Sequence, residues 1–362
     1  MSKLPGRAGC GSRLSALLAV SVLTILSACQ ATAPAPAPTP PRSGIHAVSA
    51  MRYVSPAGRD TWPGTEQRPW RTLRRALSAM QPAQLLYIRG GDYFETIVKV
   101  HVHPGTRSRP IVVLAYPDER PVVHGMVWLR QPSYWTIDGI DVTWDPKTKA
   151  ARRPMVKLTG GVGWTWQNSE IWGARGSSNV LIAGYGRRQP AKWALTGNCI
   201  HDVRPPKLAN RSSNLTIADM QSAGPGNVSR NLLFDAPGAQ NVIIGSADGG
   251  PTDVSFEFNT VYGGGVAVAV GDTTDLRIAR NILAGVSSGL LARWNSPHGA
   301  GNVVTQNLGE DADAFLRPFA AAIVGGPGNV LDPDLAFNDV STCTGFHSED
   351  AGALPYGRDA VG

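Results

Sequence analysis

The chain has few cysteines and lacks the apolar spacing of helical repeats. Four cysteines occur among its 362 residues, at Cys10, Cys29, Cys199 and Cys343, and they form no zinc-binding pattern. Apolar residues three and four apart are not sustained over long windows, which excludes a helical repeat protein. Serine-rich and Gly-Asp-Ser nucleophile motifs are absent as well, which disfavours esterase chemistry.

Asparagine, in contrast, recurs through the middle of the chain. Six asparagines follow one another at intervals of 22 to 33 residues: Asn168, Asn198, Asn231, Asn259, Asn281 and Asn307. Apolar residues stand three positions before and two positions after most of them. A repeat of about 20 to 50 residues indicates a solenoid, because each unit presents an apolar face that only a neighbouring unit buries.

The repeating units read as short strands separated by turns. Runs of β-branched and aliphatic residues end at Gly, Asn or Asp in the segments 179–184, 215–219, 241–245, 266–271 and 276–281. We expect each repeated Asn to adopt the left-handed turn conformation, with its amide bonded to the coils above and below. The sequence therefore predicts an all-β solenoid with an internal asparagine ladder.

This pattern resembles the right-handed parallel β-helix, or pectin-lyase-like, superfamily, and the resemblance covers residues 51–345. The segments 53–60, 63–73 and 86–93 resemble the opening of many secreted β-helix proteins. Within this amino-terminal cap region, residues 51–100, apolar residues three and four apart predict a short helix over 69–80. We expect the helix to cover the first coil of a single domain, which a carboxy-terminal tail at 346–362 follows.

Residues 1–29 have the layout of a signal peptide. Three basic residues precede an apolar run over 14–26, which is too short for a comfortable membrane span. The run ends in Leu-Ser-Ala-Cys, which resembles a bacterial lipobox with Cys29 as the lipidation site. Residues 30–50, rich in Pro and Ala, would form an extended tether. We expect an extracytoplasmic protein held to a bacterial membrane by its lipid anchor alone.

Removal of the signal peptide lowers the formal net charge from +7 to +4, because Lys3, Arg7 and Arg13 leave and no acid does. A mildly basic body outside the cytoplasm favours an acidic polysaccharide as partner rather than nucleic acid. Membrane lipid phosphate is the alternative. We expect the protein to be a monomer.

Two cysteines remain in the body after Cys10 leaves and Cys29 is lipidated. About five coils separate Cys199 from Cys343, and at ~4.8 Å per coil this exceeds the reach of a disulfide unless the tail folds back. We therefore predict that the two do not pair and that Cys199 is a core residue.

The densest positive charge lies in residues 175–211. Seven cations accompany a single acid, Asp202, in this window: Arg175, Arg187, Arg188, Lys192, Arg204, Lys207 and Arg211. Long loops interrupt the repeat here, and loops on a rigid scaffold commonly carry function. We assign substrate binding to the first four of these cations; a solvated basic edge is the alternative.

The resemblance to β-helix lyases implies a reaction for this window. Such lyases cleave uronides by β-elimination, in which a cation, often calcium, neutralises the sugar carboxylate and a base removes the C5 proton. Lys207 is the expected base, with Arg204 or Arg211 pairing the substrate carboxylate. Asp202 and Asp235 each follow a ladder Asn by four residues, so we expect them to stack and bind calcium. Turn capping by each Asp is the alternative.

Tryptophans supply a second argument for sugar binding. Trp164, Trp166 and Asn168 are two residues apart, so they should share one side of a strand, and we expect both tryptophans in the core. Trp172 and Trp193 are the expected stacking residues for sugar rings on the surface.

Several motifs of the β-helix enzymes are absent. The chain has no Asn-Thr-Asp, Gly-His-Gly or Arg-Ile-Lys segment of the hydrolases, and no Gln-Asp pair of the pectin methylesterases. Two functions remain. One is a polysaccharide lyase or related uronate epimerase, in which Lys207→Ala would abolish cleavage and spare the fold. The other is a non-catalytic β-helix lipoprotein that binds glycan or another envelope component.

Overall fold

A computed structural model describes residues 49–100, 102–147, 153–204, 212–218, 224–245, 250–287, 289–293, 301–310, 323–325, 327–332, 334–348, 353 and 355–359. The chain divides into two units, 1–44 and 45–362, and all described residues lie in the second. The signal peptide, Cys29, the tether up to residue 48, Lys207 and Arg211 lie outside the described residues. No helix in the described ranges is long and apolar enough to cross a membrane.

The described residues form one helix and many short strands. The helix α1 spans Leu73–Ala79. The strands up to the first long loop are β1 Ala50–Val54, β2 Gln84–Ile88, β3 Gly91–Tyr93, β4 Ile97–Val100, β5 Ile111–Ala115, β6 Pro121–His124, β7 Val127–Arg130, β8 Trp135–Asp138 and β9 Asp141–Thr143. The middle strands are β10 Val156–Thr159, β11 Thr165–Gln167, β12 Glu170–Trp172, β13 Val180–Ala183, β14 Trp193–Thr196, β15 Cys199–His201, β16 Ser213–Ala218, β17 Gly226–Ser229, β18 Leu232–Leu233 and β19 Gln240–Ile244. The last strands are β20 Val254–Glu257, β21 Thr260–Tyr262, β22 Val266–Val270, β23 Arg277–Ala279, β24 Ile282–Ala284, β25 Gly289–Arg293, β26 Asn302–Thr305, β27 Leu308–Gly309, β28 Ile323–Gly325 and β29 Val330–Leu331.

These strands stack into three parallel sheets. The first sheet has the order β1-β2-β5-β8-β11-β14-β17-β20-β23-β26-β28, and the second has β3-β6-β9-β12-β15-β18-β21-β24-β27-β29. The third sheet contains β4, β7, β10, β13, β16, β19, β22 and β25. From β2 to β25 every third strand returns to the same sheet, so the chain winds as a helix of coils with three faces. The predicted all-β solenoid is confirmed.

Three corners join the sheets. The ladder corner leads from the first sheet to the second, and the second corner leads from the second sheet to the third. The third corner leads from the third sheet into the first sheet of the next coil. Side chains alternate along each strand, so Val156 and Leu158 are buried in the core while Lys157 between them lies on the outer face.

The amino-terminal helix caps the solenoid. The Thr72 hydroxyl accepts a hydrogen bond from the Arg75 backbone N–H at 3.1 Å and so begins the helix. Leu73, Ala76 and Leu77 are buried in the same apolar cluster as the first strands. The predicted helix over 69–80 is thus confirmed, although it is shorter than the spacing suggested.

The predicted asparagine ladder is confirmed in most of its rungs. At the ladder corner, Nδ2 of each Asn donates to Oδ1 of the Asn on the next coil at 2.9 to 3.1 Å. The rungs are Asn198, Asn231, Asn259, Asn281, Asn307 and Asn329. Each Oδ1 also accepts the backbone N–H of the preceding rung, which satisfies polar groups that the corner would otherwise bury unpaired.

Two details of the ladder prediction were wrong. Asn168 is not a rung: it is exposed, and its amide donates to Asp138 at 2.8 Å. Ser169 takes the rung position instead, because its N–H donates to Asn198 Oδ1 at 3.1 Å. The left-handed conformation falls on the residue before the rung, as at Phe258 with φ 57° and Arg280 with φ 57°.

A second ladder, which sequence reasoning missed, lies at the second corner. Asn179 Nδ2 donates to Asn214 Oδ1 at 2.8 Å, and Asn214 Nδ2 donates to Asn241 Oδ1 at 2.7 Å. These three residues are separated by 35 and 27 positions, and each is followed by Val or Leu and, two positions later, by Ile. The amides hold the edge of the third sheet in a fixed place.

The chain after β29 folds back over the second sheet, and a disulfide joins it to β15 between Cys199 and Cys343. The tail therefore begins earlier than predicted, and we use the word for residues 334–348, 353 and 355–359. Phe346 is buried against Phe234 and Tyr262, with ring centroids 5.6 and 5.4 Å away. The prediction that the two cysteines do not pair was wrong, because the coil count assumed that the tail continues along the solenoid axis. Cys199 faces the tail rather than the main core.

Replacing both cysteines with serine is expected to lower the free energy of unfolding by about 2–5 kcal/mol, since the bond constrains the unfolded chain. The closed loop is long, with a sequence separation of 144. Urea unfolding of the full-length protein, oxidised and reduced, measures the effect, and the reduced wild type should match the double variant. Coincident unfolding curves for oxidised and reduced wild type would contradict the prediction.

Candidate functional site

The third sheet differs from the other two in its charge. Its eight strands contain four charged residues, Lys99, Arg130, Lys157 and Arg293, and all four are basic. The strands of the other two sheets carry acids, including Asp138, Glu257, Asp92, Asp141 and Glu170. Arg130 and Lys157 thus form a basic strip on the outer face of this sheet, whose strands carry no carboxylate.

A group of outward-facing side chains on β7 and β10 forms the centre of this strip. Trp128 and Arg130 alternate with buried Val127 and Leu129, so both point outward. The Arg130 guanidinium lies 4.2 Å from the Trp128 ring centroid, and the Lys157 ammonium lies 4.5 Å from it. The Trp128 indole N–H donates to the Thr159 hydroxyl at 2.9 Å, which fixes the ring across two coils.

The third corner adds a turn to this group. Tyr185 and Arg188 pair through both backbone hydrogen bonds around Gly186, whose φ of 59° suits glycine. The Tyr185 ring lies 5.7 Å from the Arg130 guanidinium, and Arg188 Nη1 donates to Gln131 Oε1 at 2.5 Å. We call Trp128, Arg130, Lys157, Tyr185 and Arg188 the Arg130 cluster.

Arg130 itself has an unusual environment. Its guanidinium lies near two aromatic rings, those of Trp128 and Tyr185. Within the described part of the chain, no carboxylate pairs with it and its Nε is buried without a hydrogen-bond partner. It lines a cavity of about 410 Å³ together with Arg188, Tyr185 and Gln131. A cation that lines a cavity without a paired carboxylate favours an anionic ligand there.

The structure divides the predicted basic window between two corners. Arg187, Arg188 and Lys192 lie at the third corner and are exposed. Arg175 and Arg204 lie at the second corner, where their backbones pair on adjacent coils. The two groups therefore flank opposite edges of the third sheet. The assigned catalytic residues Lys207 and Arg211 lie outside the described residues.

Asp202 and Asp235 stack on adjacent coils as expected, but an arginine lies between them. Arg204 approaches Asp202 to 2.7 Å and donates twice to Asp235 at 3.1 Å. The bonds to Asp235 raise the pKa of the Arg204 guanidinium above its ordinary value. Calcium binding at this corner stays a prediction, and a calcium ion would have to displace this guanidinium.

The tryptophan predictions had mixed outcomes. Trp164 and Trp166 are buried, as predicted. Trp193 is 2% exposed and stacks on Trp164 with centroids 5.3 Å apart, so its assignment as a surface stacking residue was wrong. Trp172 is half-buried on the second sheet and stacks on His201. Trp128 was missed, although the alternation in residues 127–130 could have placed it outside with Arg130.

A separate polar network lies on the second sheet. His201 Nε2 is 3.0 Å from Glu170 Oε1, and Arg120 binds Asp141 in a bidentate ion pair at 2.9 and 2.7 Å. The bond with His201 lowers the pKa of Glu170, whereas burial raises the pKa of Asp141 despite the nearby Arg120. Glu170 and Arg120 line a cavity of about 480 Å³ beside the disulfide.

Comparison with known proteins finds a family match to part of the chain and two short matches to curated proteins. Residues 52–177 match a family described as the Pel9A-like, right-handed beta helix region. A stretch of 74 residues, 20% of this chain, is 40% identical to the uncharacterized protein YwoF of Bacillus subtilis (strain 168) and covers 15% of it. A stretch of 78 residues, 22% of this chain, is 34% identical to pectate lyase PEL9 of Emericella nidulans (strain FGSC A4) and covers 19% of it. Each match thus covers less than a fifth of the relative's length.

Two solved structures share the fold over most of the chain. The crystal structure of pectate lyase Pel9A superposes with a TM-score of 0.59 and 15% identity, covering 78% of this chain and 77% of that one. The GH136 lacto-N-biosidase from Eubacterium ramulus gives 0.53 and 13% identity, covering 72% of this chain and 56% of that one. The protein is therefore a right-handed parallel β-helix with the pectin-lyase-like fold, and its residues 52–177 match the Pel9A-like region of that fold.

Proposed function

We propose that this protein binds an acidic polysaccharide along the outer face of the third sheet, with the Arg130 cluster at the centre. The observation that carries the proposal is the Arg130 guanidinium, which lines the cavity without a carboxylate partner among the described residues. A uronate carboxylate would supply the missing charge and accept its hydrogen bonds, and Arg geometry suits bidentate recognition of carboxylates.

The surroundings of the cluster support a polymer as ligand. Further cations lie beside the cluster, because Arg187 and Lys192 are exposed at the third corner. Positive charge that extends beyond one cavity attracts a chain with repeated negative charge. The protein would work outside the cytoplasm, attached to a bacterial membrane through lipid on Cys29.

Cleavage by β-elimination is the second candidate function. The match to the Pel9A-like region favours it, because residues 52–177 include Trp128, Arg130 and Lys157. Arg130 would neutralise a sugar carboxylate in this reaction, and the predicted base Lys207 lies outside the described residues. The alternative is that the protein binds the polysaccharide without cleaving it. The two functions are distinguished by whether the unsaturated product of β-elimination forms.

The test uses the full-length protein in detergent, titrated with pectate, alginate and a neutral glucan of similar length. We expect calorimetric binding to at least one acidic polymer, no binding to the glucan, and weaker binding as salt concentration rises. Ultraviolet absorbance of the same mixtures, with calcium and with chelator, reports the unsaturated product of β-elimination. Absence of binding to every acidic polymer would overturn the proposal, whereas binding without a product would remove only the lyase candidate.

A further inference from the structure

Three metal-binding side chains converge where the tail meets the second sheet. Cys199 and His201 are two residues apart on β15, so both point to the outer face, and Cys343 approaches from the tail. The two sulfurs and a ring nitrogen of His201 all lie within 4.8 Å of one another. No spacing in the sequence reveals this group, because 144 residues separate the two cysteines.

The imidazole of His201 is held in a fixed orientation. Its ring stacks between Trp172, with centroids 6.0 Å apart, and Phe234, with centroids 4.8 Å apart. Glu170 Oε1 lies 3.0 Å from Nε2, which leaves the other ring nitrogen for a different partner. A histidine whose second nitrogen bonds a carboxylate is the common arrangement around protein-bound zinc, because the carboxylate orients the ring.

We propose that Cys199, His201 and Cys343 form a binding site for a thiophilic divalent metal such as Zn²⁺ when the disulfide is reduced. A dithiol reductant would open the bond, giving two protein thiols and one oxidised dithiol. Metal binding then releases both thiol protons, and two thiolates with a neutral imidazole balance the charge of the ion. Three protein ligands leave a fourth tetrahedral position for water or another donor.

The oxidised and the metal-bound states exclude each other. Both sulfurs are used by the disulfide in one state, and both are metal ligands in the other. In either state the tail stays joined to β15 through Cys343, so the metal would replace the covalent bond as its attachment. This site lies on the second sheet, and it does not depend on the polysaccharide proposal for the third sheet.

Cobalt provides the probe, because Co²⁺ bound by thiolates absorbs strongly in the near ultraviolet and visible. The full-length protein is reduced with dithiothreitol, freed from it by anaerobic gel filtration, and titrated with Co²⁺ and then Zn²⁺. We expect one Co²⁺ per chain with sulfur-to-cobalt bands, displacement by Zn²⁺, and none of these bands for the unreduced protein. His201→Ala should weaken binding, and Glu170→Gln should weaken it about tenfold, as loss of a ligand-orienting partner does.

The Cys199→Ser, Cys343→Ser double variant is the reference for non-specific binding. Near-ultraviolet circular dichroism of each reduced protein shows whether the fold persists before metal is added. A folded, reduced wild type that binds no more Co²⁺ than the double variant would overturn the proposal. So would unchanged affinity and spectrum in His201→Ala, since the thiols alone would then account for the binding.

Discussion

Replacing Asn231 with leucine should lower the free energy of unfolding by more than about 3 kcal/mol, because several buried polar groups lose their partners at once. Asn231 Oδ1 accepts both the backbone N–H and Nδ2 of Asn198 at 3.0 Å. Its Nδ2 donates to the Leu195 carbonyl and to Asn259 Oδ1, each at 2.9 Å. Each buried group left unsatisfied costs roughly 1–3 kcal/mol, and leucine satisfies none of them.

Asn227→Leu is the matched control in the same coil. Asn227 lies on the outer face of the first sheet, where its side chain accepts a hydrogen bond from the Ser229 hydroxyl at 2.7 Å and remains partly exposed. We expect this change to alter the free energy of unfolding by less than about 1 kcal/mol, as surface substitutions do. Urea unfolding of both variants measures the difference. Equal losses in the two variants would show that the ladder bonds do not determine stability.

Replacing Arg130 with glutamine should weaken binding of the acidic polysaccharide at least about tenfold. Hydrogen bonds to charged groups contribute ~1.5–3 kcal/mol, and 1.4 kcal/mol corresponds to about a factor of ten in affinity. Glutamine keeps polar atoms near the cavity but removes the charge and the bidentate geometry. Calorimetric titration with the polymer that binds the wild type gives the ratio of affinities.

Arg280→Gln is the control, because it removes one positive charge far from the third sheet. Arg280 is exposed at the ladder corner, where its guanidinium lies 5.3 Å from the Phe258 ring centroid. Its loss should change affinity less than about twofold, since exposed charges are screened by salt. Similar weakening in both variants would point to net charge rather than to the Arg130 cavity.

Unfolding measurements separate a binding role of Arg130 from a structural one. Arg130 lacks a carboxylate partner among the described residues and loses only its contacts with the Trp128 and Tyr185 rings in Arg130→Gln, so we expect the free energy of unfolding to fall by less than about 2 kcal/mol. A variant that binds normally but unfolds more easily would assign Arg130 to the fold alone.

The fold was predictable because every coil has the same structural requirement at its corner. A tight corner between two strands needs buried hydrogen bonds, and an asparagine at a regular interval supplies them. The interval between asparagines locates each corner only to within about one residue. For this reason Asn168 was predicted as a rung, whereas the next residue, Ser169, forms it. The second ladder was missed although Asn179, Asn214 and Asn241 share a flanking pattern, because three repeats give a weaker signal than six.

The candidate site was predicted less well, because residues that are neighbours in the sequence of a solenoid lie on different faces of the folded protein. Residues 175–211 pass around more than one coil, so Arg175 and Arg188 lie at different corners of it. Trp128 and Arg130 come from an earlier coil, and Arg130 reaches Tyr185 only because the coils stack. The Cys199–Cys343 bond was missed for a related reason, since nothing in the local sequence shows that the tail reverses direction.

The returning tail changes how the molecule would carry a mechanical load. An open solenoid pulled at its ends peels away one coil after another from a terminus, because each coil contacts only its neighbours. Here the disulfide connects β15 directly to the tail, so tension between the tail and the amino-terminal coils passes through Cys199. The coils between residues 199 and 343 lie outside that line of force and keep their folded length under load.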